Sequence, residues 1–121
     1  MLEIKIDSGL VLDGELYEQL TMHPLTDEQK GDLGRHITKN VRRMIRAGEI
    51  KPLGVHHAKA LESFFYLREI AVASIISIGD RSGPFTWDDV CSMNAADWWS
   101  VVAASMALDE VAHGCVSVVN H

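Results

Sequence analysis

The sequence predicts an α+β fold that is mostly helical, on three observations. Hydrophobicity alternates over residues 2–23, two later stretches carry apolar residues at helical spacing, and residues 84–112 hold helix-start signals in tandem. At 121 residues the chain can bury one hydrophobic core and not two. A single domain over 1–121 is therefore expected, with a hairpin at 2–23, about four helices within 26–113 and a short tail at 114–121.

In the first arm of the hairpin Leu2, Ile4, Ile6, Leu10 and Leu12 are all even-numbered, as are Leu16, Leu20 and Met22 in the second, which is the period of a half-buried strand. If the even residues of both arms share one face, a three-residue loop, Asp13-Gly14-Glu15, is favoured over a two-residue turn. Asp7-Ser8-Gly9 is expected to bulge. An isolated hairpin is marginal in water, so this one must lay its even face on helices or extend a sheet in another subunit.

Pro24 ends the second arm, and Thr26-Asp27-Glu28-Gln29 has the layout of a capping box. Leu33, Ile37, Val41, Met44 and Ile45 then form a narrow apolar stripe, with Gly48 as terminator and with Gly31 and Gly34 weakening the early turns. A second helix is predicted from Val55 to Ile78, closed by Gly79. Its buried side is read as Leu61, Phe64, Phe65, Ala71, Val72, Ile75 and Ile76. Arg68 lies in the apolar line, where its guanidinium must snorkel or meet a carboxylate; an acidic partner is expected, within the domain or across an oligomer contact.

Thr86 with Asp89, and then Asn94 with Asp97, repeat the capping layout, so a helix of one or two turns should give way to a longer one that Gly114 terminates. In the longer helix Trp98, Val101, Val102, Ser105, Leu108 and Ala112 make one apolar stripe, while Trp99, Ala103 and Met106 continue it around the side. A helix with so little polar face is normally covered on more than one side. Adjacent tryptophans point about 100° apart. Trp98 is therefore assigned to the core, and two readings of Trp99 stand: packing under the hairpin or the preceding loop, or exposure as an anchor for a partner.

No run of about 18 apolar residues is present, so no membrane span is expected. The alternating N-terminus does not resemble a signal peptide, and with two cysteines a reduced cytoplasmic setting is expected. A formal charge of −6 argues against generic nucleic-acid binding, although Arg35, Lys39, Arg42, Arg43, Arg46 and Lys51 crowd one segment. That run reads first as a solvated helix face, second as a dock for an acidic helix and third as a nucleic-acid contact.

Phosphate-cradling glycine loops, nucleophile elbows and His-Glu-x-x-His motifs are absent from the sequence, so neither an enzyme nor a cofactor is expected. Cys91, His113 and Cys115 match no zinc spacing, and no metal is expected. Asp88-Asp89 is read as helix-capping in preference to catalytic.

The two-stranded start Leu2-Glu3-Ile4-Lys5-Ile6, Leu12-Asp13-Gly14-Glu15 and Leu20-Thr21-Met22-His23-Pro24-Leu25-Thr26 is followed late in the chain by Trp87-Asp88-Asp89-Val90, Met93 and Ala95-Ala96-Asp97-Trp98. This arrangement resembles the tail assembly chaperones of long-tailed bacteriophages, in their Mu-like and P2-like branch. The similarity covers the hairpin and roughly the last third of the chain.

The resemblance implies a non-enzymatic protein that binds the long, helical tape measure protein and keeps it soluble while the tail tube assembles. It also implies a place in the bacterial host cytoplasm, absence from the mature virion, and contact with the tail tube protein through a frameshifted longer form. A homo-oligomer is expected. Trp99 and Met106, with Arg42, Arg43 and Arg46, are the candidate partner-binding residues. The alternative is a small phage or prophage regulator that binds a host protein or nucleic acid through the basic helix 35–46.

Overall fold

The alternating start of the chain forms two antiparallel strands, β1 (Leu2–Leu12) and β2 (Glu15–Met22), in the computed structural model, which describes residues 1–112. Helix α1 (Asp27–Arg46), helix α2 (Val55–Ala73), strands β3 (Ile75–Ile78) and β4 (Arg81–Ser82), and helices α3 (Trp87–Val90) and α4 (Ala95–Ala112) follow. The chain is α+β, with an N-terminal antiparallel hairpin and, among the described residues, four helices. The strands form one antiparallel sheet in the order β1-β2-β3-β4. The expected terminator Gly114 and the tail 114–121 lie outside the described residues.

Two compact units make up the chain. One joins Met1–Leu25 to the described residues from Ala71 onward, and the other is Thr26–Ile70.

In the sheet unit the hairpin departs from the expected loop. Leu12 pairs with Glu15 across a two-residue turn in which Asp13 (φ 52°) and Gly14 (φ 81°) are both left-handed, the conformation that suits a twisted hairpin. The parity change falls within the paired arms and not at the loop: β1 keeps Ile6, Leu10 and Leu12 inward throughout, while the inward side of β2 passes from Tyr17 to Leu20 across the exposed Glu18 and Gln19. Between Lys5, opposite Gln19, and Leu10, opposite Tyr17, β1 carries the extra residues of the Asp7-Ser8-Gly9 bulge. Even residues therefore face each other only beyond the bulge, as in Leu2 with Met22 and Ile4 with Leu20. Near the turn Leu10 opposes Tyr17, and Leu16, which the even-face reading buried, pairs with Val11 on the exposed face.

The second correction concerns the end of α2. Backbone pairing with β2 draws Ile75–Ile78 into β3, and His23 N donates to Ser74 O at 2.8 Å. This apolar, largely β-branched run suits either state by periodicity, and the free edge of β2 decides for the strand. Gly79 is accordingly not a helix terminator. It opens the β3–β4 turn with φ 57° and donates its N–H to Gln19 O at 2.8 Å. The core of this unit gathers Ile6, Leu10, Leu20, Met22, Ile78, Val90 and Val101, all essentially without solvent exposure.

In the helical unit the Thr26 box closes as expected. Gln29 N donates to Thr26 Oγ1 at 3.1 Å, and Thr26 N donates to Gln29 Oε1 at 2.8 Å. The helix runs from Asp27 through both early glycines to Arg46 and ends before Gly48 (φ 77°). Ile37 and Val41 are buried. On α2 Phe64, expected in the core, is 60% exposed, because α2 buries the adjacent Phe65 more deeply and the two rings meet edge to face with centroids 5.7 Å apart. Ile76, also expected inside, stands at an exposed position of β3. Arg68 finds its acidic neighbour within the unit: its Nε lies 3.8 Å from Glu69 Oε2, and its guanidinium sits 4.9 Å from the Phe65 ring centroid.

Candidate partner-binding surfaces

The rotation of α4 about its axis is set by the corner that joins it to α3. Asp89 Oδ2 accepts the N–H of Thr86 at 2.8 Å and its hydroxyl at 3.2 Å, so Asp89 caps α3 as expected; the Asp88 carbonyl accepts the Cys91 thiol at 3.5 Å. Asn94 caps α4, its Oδ1 accepting Asp97 N at 2.8 Å, while its Nδ2 donates to Ser8 Oγ at 2.7 Å.

The reciprocal half of that second capping box is replaced. The buried Asp97 carboxylate turns to the bulge of β1, where Oδ1 accepts Asp7 N at 3.0 Å and Oδ2 accepts Ser8 N at 2.9 Å. Ser92 covers the next stretch of the same edge, with Val11 N donating to its Oγ at 3.3 Å and its hydroxyl donating to Val11 O at 3.2 Å.

With Asp97 fixed against β1, Val101, Val102 and Ser105 fall inside. Trp98 is half-buried against the core and meets Trp87 edge to face, with centroids 4.9 Å apart. Trp99 does not pack under the hairpin or the loop. It is 65% exposed, and Met106, two turns on, is 49% exposed. Around them Ala95, Ala96, Ser100, Ala103 and Ala107 are also exposed, and Glu110 is the one exposed charge among the described side chains of α4. The outer face of α4 is thus a floor of small residues carrying two large apolar side chains.

On the helical unit Arg35, Lys39, Arg42 and Arg46 recur at spacings of four, three and four along one side of α1. With Gly31, Gly34, Thr38 and Ile45 they line a shallow groove. Arg35 is paired with Asp32. Arg43 leaves this face: its Nε donates to Asn40 Oδ1 at 3.4 Å, its Nη1 lies 3.9 Å from Glu49 Oε1, and it borders a different hollow with His36, Phe65 and Glu69. Of the three arginines singled out in sequence, Arg42 and Arg46 therefore share one groove and Arg43 borders another. Arg35 and Lys39 belong with them, and their helical spacing could have shown it. Phe64 and Leu67, one turn apart on α2, form a further exposed apolar pair in this unit.

Among the described residues no three histidine, cysteine or carboxylate side chains converge as a metal site would require, and Cys91 is exposed. His113 and Cys115 lie outside the described residues. No helix among the described residues is long and apolar enough to cross a membrane. No protein-family model, curated protein or solved structure matches the chain.

Proposed function

We propose that this chain is a phage tail assembly chaperone that holds helical segments of the tape measure protein against the outer face of α4. The exposure of Trp99 and Met106 on a floor of alanines carries the reading. Small residues let a second helix approach closely, and the two large side chains supply anchors that fill gaps between its ridges. A partner that is long, helical and apolar on one face presents the complementary surface by helix-in-groove recognition. The cations Arg35, Lys39, Arg42 and Arg46 would engage acidic stretches of the same partner. The test is co-expression with the tape measure protein encoded in the same gene cluster. A co-purifying complex and a gain in tape-measure solubility are expected, and failure of both rejects the proposal.

The cationic face also supports a second reading, a regulator that binds nucleic acid through Arg42 and Arg46. It predicts binding that weakens steeply with salt and is lost on reversing those two charges.

A further inference from the structure

We infer that two copies of this chain pair through the N-terminal segment of β1, antiparallel and centred on Ile4, so that Glu3 of each copy lies opposite Lys5 of the other. The inference is independent of the α4 reading, and it starts from which backbone groups of β1 face outward. Gln19 O accepts Gly79 N, so Gln19 and Thr21 direct their backbone groups to β3, and the alternate residues Leu20 and Met22 direct theirs to β1. Their partners Ile4 and Leu2 therefore bond to β2. Glu3 and Lys5 turn their N–H and C=O groups to the free edge.

Farther along, the edge is closed. Asp97 takes Asp7 N and Ser8 N, and Ser92 takes both polar groups of Val11. Glu3 and Lys5 have no such cover among the described residues. An unpaired edge is a template for another strand, which proteins ordinarily close off. This one is sealed over Asp7–Val11 and left open over Leu2–Ile6.

The open stretch is self-complementary. In an antiparallel pair centred on Ile4, Glu3 and Lys5 of the two copies form hydrogen-bonded pairs, which is the phase their outward backbone groups require. Their exposed side chains then stand opposite charges of the other sign on one face. Leu2, itself partly exposed, lies opposite Ile6 of the second copy on the other face. Edge charges of a single sign would repel a second copy, whereas opposite signs two residues apart select this register. The pairing ends where the second copy's Met1 reaches Asp7, at which point the Asp97 cap begins.

Sedimentation of the full chain over a concentration series tests this. A dimer is expected, with Glu3→Lys and Lys5→Glu each weakening it about tenfold or more, because each reversal sets two like-charge pairs face to face. Mixing the two variants restores opposite signs at both positions and should restore association as a heterodimer. The double variant Glu3→Lys/Lys5→Glu should self-associate like the parent. Circular dichroism of each variant identifies loss of fold, and the mixture and the double variant keep the test decisive.

A chain monomeric at every concentration overturns the inference, and so does a dimer indifferent to the single reversals. Single reversals that weaken a well-folded dimer without rescue on mixing reject the register. Slow amide exchange at Glu3 and Lys5 in the monomer would show that another segment, such as residues 113–121, covers the edge, and would also overturn the inference.

Discussion

Asp97, in the first turn of α4, accepts the backbone N–H of Asp7 at 3.0 Å across 90 positions of sequence. With the second bond to Ser8 N, one buried carboxylate satisfies the bulge of β1 and fixes which side of α4 faces the core. Removing it leaves two part-buried backbone donors without their acceptor, and an unpaired donor costs up to about 1–3 kcal/mol when fully buried. Asp97→Ala should therefore destabilise the fold by roughly 1–3 kcal/mol, and Asp97→Asn by somewhat less because one oxygen remains to accept. Chemical denaturation of both variants measures this; a loss below about 0.5 kcal/mol for alanine would show that the bond does not hold the corner.

Gly79 is fixed by a neighbour as well as by its own backbone. Its φ is 57°, and a Cβ placed there would run into the Tyr17 ring. Gly79→Ala should cost about 2 kcal/mol or more through left-handed strain and displacement of Tyr17, read as a lowered denaturation midpoint. Gly34 has the opposite expectation. It is helical, and an added Cβ would lie 3.6 Å from Tyr66 Cε1, an ordinary contact. Gly34→Ala should stabilise the chain by roughly 0.5–1 kcal/mol.

The Tyr17 phenol donates to Glu15 Oε2 at 2.9 Å, and that bond, with a smaller contribution from burial, raises its pKa above the ordinary 10.0 while Arg81 acts in the opposite sense. A group whose folded pKa is raised contributes stability that is full below the unfolded value and is lost as pH rises through the folded one. Stability should fall on the alkaline side, above about pH 10. In a Tyr66→Phe background, phenolate absorbance should report Tyr17 titrating later than a free tyrosine, and earlier once Glu15→Ala is added. Unchanged titration on adding Glu15→Ala would remove the hydrogen bond as the cause.

Much of this architecture was legible because its signals are local. The Thr26 box, the Asn94 cap and the bulge at Asp7-Ser8-Gly9 each depend on a few adjacent residues. The errors arose where a distant pairing decides. Ile75–Ile78 becomes strand because β2 offers an edge, and the two-residue turn at Asp13-Gly14 follows from a bulge that consumes the parity change earlier. At the candidate surfaces, helical spacing alone placed Trp99 and Met106 together. The separation of Arg43 from Arg42 depends on Asn40 and Glu49, which a charge count does not weigh.

Titration calorimetry with a helical tape-measure segment decides whether the proposed docking on the outer face of α4 takes place. The double variant Trp99→Ala/Met106→Ala should melt close to the parent, since Trp99 is mostly exposed and Met106 about half-exposed. Its affinity should fall about thirtyfold or more, the loss expected when a central aromatic anchor is removed. Equal affinity of variant and parent for the segment would show that Trp99 and Met106 do not hold it.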